Sequence, residues 1–191
     1  MGQVYDGISG RLRQLIEAQP IFFVATAPLS AGGHVNVSPK GMRGTFTVVD
    51  EHRVRYLDYH GSGAETAAHL RENGRITVMF CTFDGPAQII RLHGKGSAVP
   101  CDDPAFAGLV AVFGPAVDRH GVRSVIDVKV ERVSDSCGFA VPVMTYDGDR
   151  DLLVQWLGRR DDAALARYRA DKNRHSIDGL PAFTDPGQAP V

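Results

Sequence analysis

The side chains of this sequence best suited to chemistry are donors that could meet an anion. Lys40 sits in Pro39-Lys40-Gly41 at the end of an alternating run. Ser62 and Thr66 flank the end of the polar stretch Asp58-Tyr59-His60-Gly61-Ser62-Gly63. Arg91 interrupts an otherwise apolar strand. A phosphate is held by N–H, hydroxyl and cationic donors acting together, and this set offers each kind. Ser62, with Glu65 three residues later, matches the capping-box pattern, so Ser62 is expected to be an N-cap. A helix start exposes unpaired N–H groups and the positive end of the macrodipole, and Gly61 and Gly63 allow close backbone approach. The same letters also describe an ordinary capped surface helix. This stretch alone does not decide between them.

Other chemistries find less support. Gly61-Ser62-Gly63 and Gly94-Lys95-Gly96 each lack the third glycine of a dinucleotide fingerprint, and neither opens a series of βαβ units. There is no Gly-x-Ser-x-Gly elbow and no His-Glu-x-x-His helix, and the seven histidines are scattered, so no metal site is assigned. Asp147, Asp149 and Asp151 imitate a calcium loop, but Leu152 and Gly158 stand where it needs Gly and Glu. They read instead as a turn that places favourable charge at a helix start. No catalytic acid or base stands out.

Size and composition bound the rest. A chain of 191 residues, 43% hydrophobic and 23% charged, can bury its own core as one soluble globular domain. A net charge of −1 gives no case for nucleic acid. The apolar runs are too short to span a bilayer, and Met1 to Asp6 lacks the features of a signal peptide, which points to the cytoplasm. Cys81, Cys101 and Cys137 lie far apart without a Cys-x-x-Cys, and Cys81 reads as core filler.

The elements that would position the donors are read from periodicity. Ile8, Leu12, Leu15 and Ile16 predict a helix between Ser9 and Gln19, stopped by Pro20. Strands are expected at 21–27 and 34–38, joined by a Ser/Gly loop, with Lys40 on the following turn. A second hairpin is expected over 45–59, and a helix then leads to a turn at Asn73-Gly74. Further strands are expected at 76–80, 87–99 and 122–133, with a bulge or bend at Gly94 and Gly96 and a short helix in 104–113. Beyond Pro142, Leu152, Leu153, Trp156 and Leu157 form one apolar helical stripe, Ala163 to Tyr168 suggests a second helix, and 174–191 reads as an extended tail. Hairpin-joined strands favour a closed or sandwiched antiparallel β structure.

In order and spacing, Ile21 to Ala27, His34 to Gly41, Tyr56-Leu57-Asp58 with Gly61-Ser62, Leu70 to Ile76 and Ile90 to Gly94 resemble the pyridoxamine 5′-phosphate oxidase-like proteins. Ser136 to Phe139 and Ser176 to Pro181 look like a bacterial subgroup of that family. The resemblance implies a mainly β (α+β) fold: an antiparallel split β-barrel over 1–142 with peripheral helices, and a helical extension and tail over 143–191. It implies a homodimer with FMN at the subunit interface. Carried over residue by residue, it implies cofactor contacts from Val37, Ser38 and Lys40 on one strand and Leu57 and Asp58 on the next. Glu65 and Thr66 fall where relatives often carry basic phosphate ligands; a carboxylate would repel the phosphate, so its binding is expected of Lys40, Ser62 and Thr66, with Arg91 or Arg75, and Glu65 is left to the cap. Arg91-Leu92-His93 has the letters of the family's substrate-binding Arg-x-His, but lies mid-chain, and Arg174-His175 lacks the spacing. The activity implied is FMN-dependent hydride transfer through flavin N5, to or from an unidentified small molecule. The alternative is a flavin or deazaflavin carrier or redox sensor without turnover.

Overall fold

The computed structural model of the chain describes residues 2–183. The elements are β1 (Val4–Tyr5), α1 (Gly10–Ala18), β2 (Phe22–Thr26), β3 (Asn36–Lys40), β4 (Phe46–Asp50), β5 (Arg53–Tyr59) and α2 (Glu65–Asn73). They continue with β6 (Arg75–Cys81), β7 (Gln88–Pro100), α3 (Phe106–Val110), β8 (Val122–Cys137), α4 (Leu152–Gly158) and α5 (Asp162–Lys172). The fold is mainly β, one antiparallel sheet in the order β3-β2-β6-β7-β8-β5-β4, with β1 added to β8. No helix among the described residues is long and apolar enough to cross a membrane.

The sheet curls into a split barrel because one face of every long strand is apolar. Phe22, Val24, Tyr56, Val78, Phe80, Ile90, Leu92, Ile126 and Val128 all point inward, with Leu12 and Ile16 of α1 packed among them. Curling brings strands from opposite ends of the sheet together. Phe22 of β2 lies 5.0 Å from Phe46 of β4 and 5.4 Å from Tyr56 of β5, ring centre to ring centre. Outside the barrel, Val110 of α3 and Phe113 just after it cover Leu57, Val122 and Val125.

Local chemistry explains the punctuation. Ser9 caps α1 by accepting from the Leu12 N–H. Gly74, at φ 72°, closes α2 in the left-handed region, with its N–H on the His69 carbonyl. The register of β7 on β8 slips between His93 and Gly94, the bulge the glycines announced, and a Cβ at Gly94 would stand 2.0 Å from the Lys129 oxygen.

Three expectations need correction. Pro39 and Lys40 do not form a turn: they complete β3, where Lys40 pairs with Phe22, because an edge strand tolerates the missing proline N–H. Ser62 does not cap α2. The N-cap is Ala64, without a side-chain bond, and the Glu65 carboxylate instead accepts the Ile177 N–H at 3.3 Å. The extended tail is, over its described part, a closed loop: His175 bridges Pro181, and the Ser176 hydroxyl accepts from the Leu180 N–H. Residues 184–191 of that expectation lie outside the described residues.

Phe22 is the side chain that joins the two ends of the sheet, so Phe22→Ala is expected to destabilise the fold by about 3–5 kcal/mol. Urea unfolding followed by circular dichroism measures it, and a midpoint equal to wild type would contradict the curled packing.

Candidate functional site

The C-terminal ends of β3 and β5 open onto a cleft of about 1010 Å³. Its floor is Ile21, Phe23, Pro39, Leu57 and Tyr59, with Lys40 and His60 as the polar groups nearest the strands. Its far wall is the segment 144–153, which returns from β8 across the barrel. The Met144 N–H bonds the Phe83 carbonyl at 2.9 Å, and Asp149 accepts from the Arg43 N–H at 3.1 Å while Arg43 stacks 4.6 Å from the Tyr146 ring centre. Leu152 and Leu153 of the expected α4 stripe face this cleft, and Leu157 packs on Gly121. Trp156 packs away from it, edge-on to Tyr168 at 5.1 Å and under Arg160. Met42, in the wall, holds φ 71°, the left-handed backbone a side chain seldom adopts.

One charged group organises the floor. Asp58 is 3% exposed, and its carboxylate accepts from Lys40 Nζ at 3.2 Å, Arg123 Nε at 2.7 Å, Arg123 Nη2 at 3.4 Å and the Ser124 hydroxyl at 3.2 Å. Burial alone would push its pKa up. The charges of Arg123 and Lys40 and their hydrogen bonds outweigh that and hold it well below the usual carboxylate range. Beside it, burial pushes the Tyr59 phenol up to about 12, with its hydroxyl donated to the Asp118 carbonyl. Burial lowers the His60 pKa. Its Nδ1 lies 2.8 Å from the Gly121 carbonyl, which makes Nδ1 the protonated nitrogen.

A second polar network lies at the other end of β3. Asn36 donates to Thr66 and to Thr26, each at 3.1 Å, and accepts from Ser38 at 2.9 Å. Thr26 is 2.9 Å from Nδ1 of the fully buried His69. Burial lowers the His69 pKa and keeps that imidazole neutral.

The expected site residues are thus divided. Lys40, Leu57 and Asp58 meet at the cleft. Ser38 and Thr66 meet through Asn36, whose role no sequence pattern singled out. Val37 points outward, 64% exposed, and Ser62 is exposed beside the glycine loop. Arg91 bonds Ser136 on the outer side of β7, three strands from β3 and so roughly 14 Å away. Arg123, Ser124 and the 144–153 wall were missed. The one available signal was a basic residue opening an apolar strand, to match the acid in Tyr56-Leu57-Asp58.

The flavin implied by the resemblance can be tested against this geometry. A flat conjugated ring fits the cleft, whose lining is mainly apolar and aromatic, with Asp147, Asp149 and Arg150 on the far wall. A phosphate at the start of α2 does not fit. Residues 173–183 cover that place: Asn173 donates to the carbonyls of Gly61 and Ser62, His34 pairs with Asp178 at 2.6 Å, and Ala182 and Phe183 pack on Ala64, Ala67 and Ala68. The Glu65 carboxylate lies there, bound to Ile177. Lys40 and Arg123 are both engaged with Asp58.

Comparison with known proteins agrees with the fold. The family model for pyridoxamine 5′-phosphate oxidase matches residues 8–137. The chain is 38% identical over 195 residues to the pyridoxamine 5′-phosphate oxidase family protein ustO of Aspergillus flavus, covering 94% of this chain and 77% of that protein. The chain belongs to the pyridoxamine 5′-phosphate oxidase family. Among solved structures, HupZ of Group A Streptococcus superposes with a TM-score of 0.50 at 20% identity, over 68% of this chain and 99% of that one. A candidate 5-nitroimidazole antibiotic resistance protein of Bacteroides thetaiotaomicron gives 0.51 at 14% identity, over 71% and 87%. These two establish likeness of fold.

Asp58 also makes a pH test available. Its folded pKa is depressed, so it contributes stability that is present above the unfolded carboxylate value of about 3.9 and is lost as pH falls below it. Acid unfolding of wild type is expected to show this loss. Asp58→Asn is expected to cost about 3–5 kcal/mol near pH 7, because it leaves Arg123 buried without its carboxylate, and to flatten the acid limb. Parallel acid limbs in the two proteins would contradict the assignment.

Proposed function

We propose that this chain is a flavin-dependent oxidoreductase that seats the isoalloxazine ring in the cleft between β2–β3–β5 and the 144–153 wall. The single observation that carries the reading is that cleft: about 1010 Å³, mainly apolar and aromatic, with the Lys40 ammonium at its floor and Asp147, Asp149 and Arg150 on its far wall, in a member of the pyridoxamine 5′-phosphate oxidase family. When bound, the flavin supplies hydride transfer through N5. Ile21, Phe23, Pro39 and Leu57 offer flat apolar contact, Met144, Leu152 and Leu153 exclude water, and Lys40 offers N–H donors to the electronegative edge of a ring. FMN is the form expected, with a small molecule as its redox partner.

The dimer belongs to the same proposal. β3 is an edge strand, Val37 on it is 64% exposed and Val35 just before it 70%, with Phe139 and Val143 at 88%. Edge strands and apolar patches of this kind favour a second copy of the chain. The three free cysteines support a reducing compartment such as the cytoplasm.

Purified protein is expected to be yellow, or to quench FMN fluorescence on titration, and to turn over with NADH, NADPH or a reduced deazaflavin as donor. Absorbance at the flavin bands and the mass of the released cofactor measure the first. A colourless protein that ignores added FMN would sink the proposal, and binding without turnover would reassign it as a carrier or sensor. Val37→Lys is expected to shift the light-scattering mass toward that of one chain.

A further inference from the structure

The β5–β8 ladder slips at the edge of the cleft. Asp58 faces Ser124 and Tyr59 faces Val122, so Arg123 is the extra residue of a β-bulge. In a regular strand consecutive side chains leave opposite faces, yet Arg123 and Ser124 both reach Asp58. Bulges that re-aim a side chain are over-represented next to active sites. Arg123 is further fixed by the Gly61 carbonyl at 3.0 Å and by the Phe183 ring, 5.3 Å from its guanidinium.

The arithmetic of Asp58 gives Arg123 a task. An ionised carboxylate offers about four acceptor positions. Arg123 takes two, Ser124 one and Lys40 one. Lys40 therefore holds Asp58 through a single hydrogen bond, keeps its other donors, and leaves 23% of its side chain exposed where it lines the cleft. Two cations also share one anion, so the cluster carries a surplus positive charge beside the ligand site.

We propose that Arg123 is a positioning residue: by saturating Asp58 from the barrel side, it keeps the Lys40 ammonium singly bonded and available to the cleft. Its occupant is then a flat ligand with a carbonyl or oxyanion edge. The ligand half of this proposal rests on the cleft being the flavin site, whereas the Arg123–Asp58–Lys40 geometry does not.

The test is the reaction of Lys40 with trinitrobenzenesulfonate, tracked site by site with mass spectrometry, in wild type and variants. In Arg123→Met the acceptor positions that Arg123 occupied on Asp58 become free for Lys40, whose ammonium is then held by more than one hydrogen bond. Lys40 is expected to label roughly tenfold more slowly, because an ammonium held by a further charge-assisted hydrogen bond must be released before it reacts. Arg123→Lys is expected to restore the rate to within about twofold, which mere loss of packing would not predict. If Arg123→Met fails to fold, the pair Asp58→Asn with Arg123→Met removes both buried charges, and there Lys40, released from its anchor, is expected to label faster than in wild type. Lys40 labelling equal to wild type in folded Arg123→Met, or in the double variant where Arg123→Met does not fold, overturns the proposal. FMN titration of the same proteins separates the two claims. Affinity about tenfold weaker in Arg123→Met, with no further loss when Lys40→Met is added, supports the ligand half, and additive losses overturn it. No FMN binding by wild type would end the flavin reading while leaving the labelling result to judge Arg123.

Discussion

The structure depends on a carboxylate placed where a carboxylate is costly. Asp58 lies inside the barrel at 3% exposure, and an unpaired charge there would cost several kcal/mol or lose its ionisation. It is kept by donors from two other strands: Lys40 from β3, at one edge of the sheet, and Arg123 and Ser124 from β8. The Lys40–Asp58 pair therefore joins one edge of an open sheet to β5, the neighbour of the other edge strand. Aromatic packing of Phe22 on Phe46 and Tyr56 closes the same split from within. Packing is non-directional and tolerates rearrangement. The ion cluster adds direction, since few arrangements satisfy a buried carboxylate at four positions.

The same cluster links the barrel to the C-terminal extension. Gly61 is held through its carbonyl by both Arg123 and Asn173, and Phe183 lies over the guanidinium. The segment after α5 is thereby fixed over the glycine loop, while the segment before α4 lies over the cleft. One extension both closes a place where an anion could have bound and builds a wall where a ring can. The cleft proposed as the ligand site is shaped by residues 144–153 as well as by the strands the family model covers.

Much of the barrel was legible in the sequence because alternation and helical spacing report burial directly. Phe22, Val24, Ile90, Leu92, Ile126 and Val128 face the core as their spacing requires, and Gly94 marks a bulge only glycine can fill. The site was legible in part. Lys40, Leu57 and Asp58 were named, but their meeting depends on how the sheet curls, which no local pattern encodes. Ser62 had the letters of a cap, yet lost that role because the Asn173 and Ile177 groups, more than a hundred residues away, bind the loop and Glu65 instead. Arg123 was hidden for a different reason. Strict alternation would send it away from Ser124, and a bulge is a register fault between strands rather than a feature of one strand.

The proposed reading joins family membership, the cleft and the ion cluster: a flavin ring in the cleft would meet Lys40, which Asp58 and Arg123 hold in place. The most direct measurement of this account is a crystal structure of the protein grown with FMN. The account predicts density for a flat ring between Phe23, Pro39 and Leu57 on one side and the 144–153 segment on the other, with Lys40 Nζ at its edge and the Arg123–Asp58 contacts intact. A ring bound outside this cleft, or a phosphate seated at the start of α2 with residues 173–183 displaced, would contradict it.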